Sequence, residues 1–194
     1  MWTVTSNPSD TGLPDHGAAE KKAWAARYVS YGWALVPVIP YGKQPATHLL
    51  SEIYGDSRVR HLHDAPAFLK EVLYWLEWDP QIGLAVIPRA TPGLVVVDID
   101  KVELLNPDLR TPQVTTGREG GGRHLYFSSD TTIPRNKTIW GDVNPEYALL
   151  PPSGHESRRF YLWDEGCSPE DVPLMPFTDA APLLGLEHLL ESPE

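Results

Sequence analysis

Two aspartates separated by one residue follow a valine-rich run in "GLVVVDID", residues 93–100. Because side chains alternate along a β-strand, Asp98 and Asp100 would project from one face of that strand and Ile99 from the other. Two such carboxylates repel each other, and burying them without a partner is costly. A hard divalent cation such as Mg²⁺ or Mn²⁺ removes that cost, so the spacing favours a metal site. The alternative is that one aspartate caps a helix starting near Lys101 while the other is solvated.

A glycine-rich segment, "TTGREGGGRHLYF", leads into another predicted strand. Consecutive glycines allow backbone N–H groups to approach an anion closely. Arg123 and His124 stand at the start of that strand, where they are placed to contact phosphate oxygens. Taken alone, the segment is also typical of a flexible surface loop.

A third segment, "GDVNPEYALLPPSGHESRRFYLW", adds polar residues around a further predicted strand. Asp142 precedes this strand and would supply a third carboxylate, while Ser153 and His155 lie in the turn that follows it. Each of the three also fits a plain structural role as a cap or a solvated turn residue.

Together these segments resemble the N-terminal primase–polymerase domain of the archaeo-eukaryotic primase superfamily, which is found at the head of phage and plasmid replication proteins. The similarity covers roughly residues 23–163, and its landmarks occur in the family's order. They are "YVSYGWALVPVIPYGKQP", "WLEWDPQIGLAVIP", "GLVVVDID", "GGGRHLYF" and "YALLPPSGHESRRFYLW".

The resemblance implies a nucleotidyltransferase that uses two metal ions, Mg²⁺ or Mn²⁺, with NTP or dNTP and a single-stranded DNA template as substrates. Asp98, Asp100 and Asp142 would bind the metals, and His124 would contact the phosphates of the incoming nucleotide. Glu146 is the alternative third acid.

Two positions depart from the family pattern. Gly122 stands where a small hydroxyl residue is frequent, and Asn144 stands where an arginine is frequent. Another cation must then replace that arginine. The candidates for nucleotide binding are the cationic residues Arg123, Lys43 and Arg118 and the turn residues Ser153 and His155. The candidates for template contact are Arg135, Lys137, Arg158 and Arg159, although a solvated charged face is the simpler interpretation of those four.

The hydrophobic pattern predicts helices early in the chain and strands later. We expect an α/β (α+β) fold with a mixed, largely antiparallel sheet flanked by helices. Predicted helices cover "AAEKKAWAARYVSYG" and "DAPAFLKEVLYWLEW", the second with Asp64 as N-cap, and a short one lies at "LLGLEHLLE". We divide the chain into a flexible arm (1–18), a catalytic domain (19–163) and an acidic, Pro-rich segment (164–194).

Charge and composition limit the partners. The formal net charge is −10, but eight of the 26 acidic residues lie from Asp164 onward, where no Lys or Arg occurs. The first 163 residues therefore carry 16 basic and 18 acidic residues, which predicts weak, salt-sensitive DNA binding. We hypothesise that the acidic segment is a linker to a downstream helicase module.

The chain has one cysteine, no signal-peptide pattern and no apolar run of membrane-spanning length, so we expect a cytoplasmic protein without a membrane partner. Two other functions remain open: a different metal-dependent transferase, such as one for nucleotide sugars, and a degenerate interaction module without catalysis.

Overall fold

A computed structural model describes residues 17–55, 62 and 64–190 of the chain. Four α-helices are described, which are α1 (Ala18–Ser30), α2 (Thr47–Tyr54), α3 (Leu69–Trp78) and α4 (Phe177–Leu184). The strands are β1 (Leu35–Val38), β2 (Gly83–Val86), β3 (Leu94–Ile99), β4 (Gln113–Thr115), β5 (Arg123–Ser128), β6 (Asn136–Lys137), β7 (Gly141–Val143), β8 (Ala148–Leu150), β9 (Leu162–Trp163) and β10 (Met175–Pro176). The predicted α+β class with a largely antiparallel sheet is therefore confirmed.

The strands form two sheets. The smaller sheet has the order β1-β2-β8, and the larger has the order β6-β7-β3-β5-β4-β9, with β10 pairing with β5. All named pairings are antiparallel except that of β10 with β5. Although β2 and β3 are close in sequence, they belong to different sheets. The short 3₁₀ helix Pro88–Ala90 lies between them.

Strand β3 is buried on both faces, and its alternating side chains enter two different hydrophobic cores. Leu94 and Val96 join the larger core, which also contains the buried residues of α1, α2, α3 and the small sheet. Val95, Val97 and Ile99 face the second core, which α4 helps to close. Asp98 has the parity of Val96, so it lies on the side of the larger core, at the end of the strand.

Two helix boundaries differ from the sequence prediction. The helix predicted to begin at Asp64 begins instead at Leu69, because the Glu71 carboxylate accepts a 2.7 Å hydrogen bond from the Phe68 N–H. This side chain satisfies a backbone donor that the first turn leaves free. The C-terminal helix begins earlier than predicted, at Phe177, and ends at Leu184, followed by a 3₁₀ turn at Glu187–Leu189.

The predicted boundary at residue 163 remains a prediction, but part of the segment beyond it packs on the sheet. Phe177 contacts Phe127 edge-to-face with ring centroids 5.9 Å apart, and Ala180 and Ala181 are fully buried. The predicted N-terminal arm lies outside the described residues except for its last two. Among the helices that are described, none has the length and apolarity needed to cross a bilayer.

Candidate active site

A transverse row of polar residues crosses four neighbouring strands of the large sheet. Its successive pairs are Lys137 with Asp142, Asp142 with Asp98, and Asp98 with His124. Directly opposed residues of antiparallel strands share a face, with Cβ atoms about 4.5–5.5 Å apart. The strand that carries Asp98 and the strand that carries Asp142 are therefore direct neighbours in the sheet.

Strand β7 needs a glycine where it approaches the backbone of Asp98. A Cβ on Gly141 would lie 1.7 Å from the carbonyl oxygen of Asp98, a distance that no side chain tolerates. The Asp100 N–H donates a 2.8 Å hydrogen bond to the carbonyl of Trp140, the residue before Gly141. Close approach of the backbones thus brings Asp142 and Asp98 together.

Asn144, at the position where the family frequently has an arginine, has a structural role in this chain. Its side-chain oxygen accepts a hydrogen bond from the Val96 N–H at 2.9 Å, and its amide donates to the Ile133 carbonyl at 2.7 Å. The residue is buried and has a φ of 47°, a conformation that asparagine tolerates better than most residues. No cation is available at this position, so phosphate-binding charge must come from elsewhere.

His124 is buried beside Asp98. Its Nδ1 lies 3.2 Å from the carbonyl oxygen of Leu149, and its Nε2 lies 3.6 Å from Oδ1 of Asp98. A carbonyl only accepts hydrogen bonds, so Nδ1 carries the proton and Nε2 faces the carboxylate. Burial lowers the pKa of His124 below its ordinary value, and the charge of Asp98 opposes that shift.

The charged form of Asp98 is disfavoured by burial and by the neighbouring carboxylates. Burial raises the pKa of Asp98, and the charges of Asp100 and Asp142 raise it further, while His124 and Lys43 act in the opposite direction. Oδ1 of Asp142 is buried and has no hydrogen-bond partner among the described residues. An unpaired buried carboxylate oxygen is unfavourable unless a donor or a cation reaches it.

Two cationic side chains approach this group from loops. The guanidinium of Arg118, in the glycine-rich loop, forms an ion pair with Oδ1 of Asp100, and both side chains are about half exposed. Lys43, in the loop after β1, is close enough for its charge to lower the pKa of Asp98, His124 and His155. Both residues were predicted from sequence as phosphate-binding candidates.

The predicted turn residues Ser153 and His155 are buried behind the row. The hydroxyl of Ser153 accepts from the Leu84 N–H at 2.9 Å and donates to the Leu84 carbonyl at 3.0 Å, which ties β8 to β2. Nδ1 of His155 accepts from the Ser157 N–H at 3.1 Å, and the imidazole packs against Tyr161. Burial lowers the pKa of His155.

Two other candidates lie away from the row. Arg123 pairs with Ile99 in the β3–β5 ladder and so projects from the opposite face to His124. Its Nε lies 3.1 Å from Oδ2 of Asp164, and it also bonds Thr115. Glu146 is exposed in the loop after β7, whereas Asp142 is directly opposite Asp98.

The template candidates form two groups. Arg135 and Lys137 are exposed at the β6 end of the row. Arg158 packs over the Tyr41 ring at 4.9 Å, in the loop next to that of Lys43, and Arg159 is next to it in sequence.

Carboxylate oxygens are the donors that Mg²⁺ and Mn²⁺ prefer, and three acidic residues with one orphaned buried oxygen fit such an ion. No three His, Cys, Asp or Glu side chains of the described segments are gathered as a ready-made metal centre.

Sequence reasoning missed several residues that shape the site. The Leu149 carbonyl orients His124, a contact without a signal in the sequence because it depends on strand register. Lys137 was predicted as a template contact, but its position opposite Asp142 also depends on register. The hydroxyl of Thr116 lies 2.6 Å from the position of a Cβ on Gly122, so it fills the space of the side chain that Gly122 lacks. That spacing explains the glycine at the position where the family frequently has a hydroxyl residue.

The family model described as bifunctional DNA primase/polymerase, N-terminal, matches residues 25–177. The match covers most of the chain, so the protein belongs to the Prim-Pol family, as the sequence motifs predicted. A comparison with curated proteins found no match. A primase/polymerase domain implies DNA and nucleotide substrates, and the family generally depends on divalent metal ions.

Proposed function

We propose that this chain catalyses template-directed nucleotidyl transfer from NTP or dNTP onto a primer or an initiating nucleotide, on single-stranded DNA. The observation that carries the proposal is the alignment of Asp142, Asp98 and His124 on three adjacent strands, with Asp100 two residues beyond Asp98. Membership of the Prim-Pol family supports the same chemistry.

In this proposal Asp98, Asp100 and Asp142 hold two divalent ions, Mg²⁺ or Mn²⁺. Such ions activate the attacking 3′-hydroxyl and neutralise the triphosphate when bound. The protein's contribution is rigidity: the buried valines of β3 and the close approach of Gly141 fix the separation of two carboxylates before any ligand binds.

His124 and the loop cations receive the nucleotide. Nδ1 of His124 is committed to the Leu149 carbonyl, so Nε2, on the side of Asp98, is the nitrogen that would contact a phosphate. As a donor to phosphate, Nε2 must be protonated, and the neighbouring Asp98 favours the charged imidazole against the effect of burial. Lys43 and Arg118 add positive charge on the same side.

Ser153 and His155, proposed from sequence as nucleotide-binding residues, are best placed to support this pocket from behind. Ser153 fixes β2 and His155 fixes the start of the glycine-rich loop. Arg123, also proposed from sequence, projects from the opposite face to His124 and is paired with Asp164.

The template would follow the two flanking cationic groups. Arg135 and Lys137 lie at one end of the polar row, and Arg158 and Arg159 lie in the loop next to that of Lys43. The near-neutral balance of the first 163 residues favours weak binding that falls with salt. A role in phage or plasmid replication in the host cytoplasm, with a fused or associated helicase, completes the proposal.

The test is primer extension on a single-stranded template with Mg²⁺ or Mn²⁺. Wild type is compared with Asp98→Asn/Asp100→Asn and with the control Asp108→Asn/Asp130→Asn, which removes the same charge from exposed positions outside the row. We expect extension by wild type and control and none by the site variant.

Extension that survives in the site variant would refute the metal-site assignment. A folded wild type that extends nothing, yet binds a nucleotide sugar with metal and without template, would identify a different transferase. A wild type that binds neither metal nor nucleotide would identify an interaction module.

A further inference from the structure

The glycine-rich loop carries a cation onto one of the proposed metal ligands. The Arg118 guanidinium contacts Oδ1 of Asp100, and the carboxylate of Asp100 is otherwise open to solvent on about half of its surface. A guanidinium and a divalent ion repel each other, so both cannot fully engage the same carboxylate. Arg118 and the metal therefore compete for Asp100.

Both ends of the loop are fixed. At its start, a Cβ on Gly117 would lie 2.4 Å from Cβ of His155, and the hydroxyl of Ser157 donates to the Gly117 carbonyl at 2.5 Å. At its end, the Thr116 N–H donates to the Gly122 carbonyl at 3.0 Å. The base of the loop is thus a tight, well-bonded neck.

Between these anchors one backbone hydrogen bond is described, from the Gly121 N–H to the Arg118 carbonyl at 3.2 Å. Residues 118–120 are exposed, and Gly120 and Gly121 have φ values of 84° and 81°. A Cβ on Gly120 would meet nothing within 4 Å. Gly120 and Gly121 follow Arg118 after Glu119, so the guanidinium can be redirected by rotation of its own exposed side chain and of these two glycines. That movement breaks the bond between Gly121 and Arg118 but none of the bonds of the neck.

Resting on the proposed function, we infer that Arg118 is an exchangeable counter-ion, which leaves Asp100 when a divalent ion binds and then contacts the triphosphate of the incoming nucleotide. In this way the loop couples metal binding to nucleotide binding. Removing the arginine has opposite effects on the two ligands: Asp100 becomes more available to metal, while the nucleotide loses a charge-assisted hydrogen bond. A residue that merely supports the fold would weaken both.

The test compares wild type with Arg118→Gln and with Lys101→Gln. Lys101 is exposed and adjacent to Asp100 in sequence, so its substitution removes one positive charge near the site without removing the ion pair. Mn²⁺ binding is measured without nucleotide by electron paramagnetic resonance of the free ion. Binding of a non-hydrolysable dNTP analogue is then measured at saturating Mn²⁺ by calorimetry, without DNA.

For Arg118→Gln we expect Mn²⁺ affinity to rise about two- to fivefold, the range that an exposed ion pair corresponds to. We expect nucleotide affinity to fall about tenfold, as for loss of one charge-assisted hydrogen bond. For Lys101→Gln we expect changes of less than about twofold in both, because salt screens an exposed charge that forms no ion pair with the residues the structure describes.

Mn²⁺ affinity that is unchanged or weaker in Arg118→Gln, or equally raised in Lys101→Gln, overturns the inference and leaves the proposed function intact. Nucleotide affinity that is unchanged also overturns it. A wild type that binds neither ligand overturns the proposed function, and this inference with it.

Discussion

Asn144 extends the pairing of β3 beyond the point where β7 ends at Val143. Its N–H donates to the Val96 carbonyl at 2.7 Å, and its side chain serves both the Val96 N–H and the Ile133 carbonyl. We predict that Asn144→Ala severely destabilises the domain and displaces Asp142 from Asp98.

The size of the effect follows from these bonds. The substitution leaves one buried donor and one buried acceptor unpaired, each at a cost of about 1–3 kcal/mol. Alanine at a φ of 47° adds roughly 1 kcal/mol of backbone strain. We therefore expect the free energy of unfolding to fall by about 3–7 kcal/mol, a large part of the roughly 5–15 kcal/mol typical of a domain.

Urea unfolding followed by tryptophan fluorescence measures this loss. Asn144→Gly is the matched variant, because it removes the same two bonds but accepts the positive φ, so it should be about 1 kcal/mol milder than alanine. A loss below about 1 kcal/mol in Asn144→Ala would refute the argument that these two bonds hold β3 in place. Primer extension by the folded Asn144→Gly protein should also fall.

Two further predictions concern the row itself. Gly141→Ala should prevent β7 from pairing with β3, because the alanine Cβ would lie 1.7 Å from the Asp98 carbonyl oxygen. Circular dichroism and primer-extension assays should show a destabilised, inactive protein. A folded, active variant would contradict the close approach of the two strands. Asp98→Asn should raise thermal stability at pH 7 in EDTA. Burial and the neighbouring carboxylates raise the pKa of Asp98. The folded state therefore binds more protons than the unfolded state, and wild type loses stability as the pH rises from about 4. The advantage of the variant should disappear near pH 4, and a variant less stable than wild type at pH 7 would contradict the sign.

The two-residue period of β3 made the local site predictable. "GLVVVDID" places Val95, Val97 and Ile99 in one core and Asp98 on the other face, as the alternation of a strand requires. The motifs and their order also predicted the family and the α+β class, because each motif, helix and strand can be recognised within its own segment of the sequence. Helix starts were less predictable: α3 begins at Leu69, where Glu71 provides the cap, although Asp64 and Pro66 form an equally good local signal.

The acidic, cationic and glycine residues and the strands that carry them could be recognised in the sequence. Which of these residues lie side by side depends on contacts between distant segments. Asp142 rather than Glu146 lies beside Asp98, Lys137 joins the row, and Arg123 turns to Asp164 on the opposite face. The physical reason is register: a shift of one residue in a strand reverses every side chain on it, and register is set by long-range contacts such as those of Gly141 and Asn144.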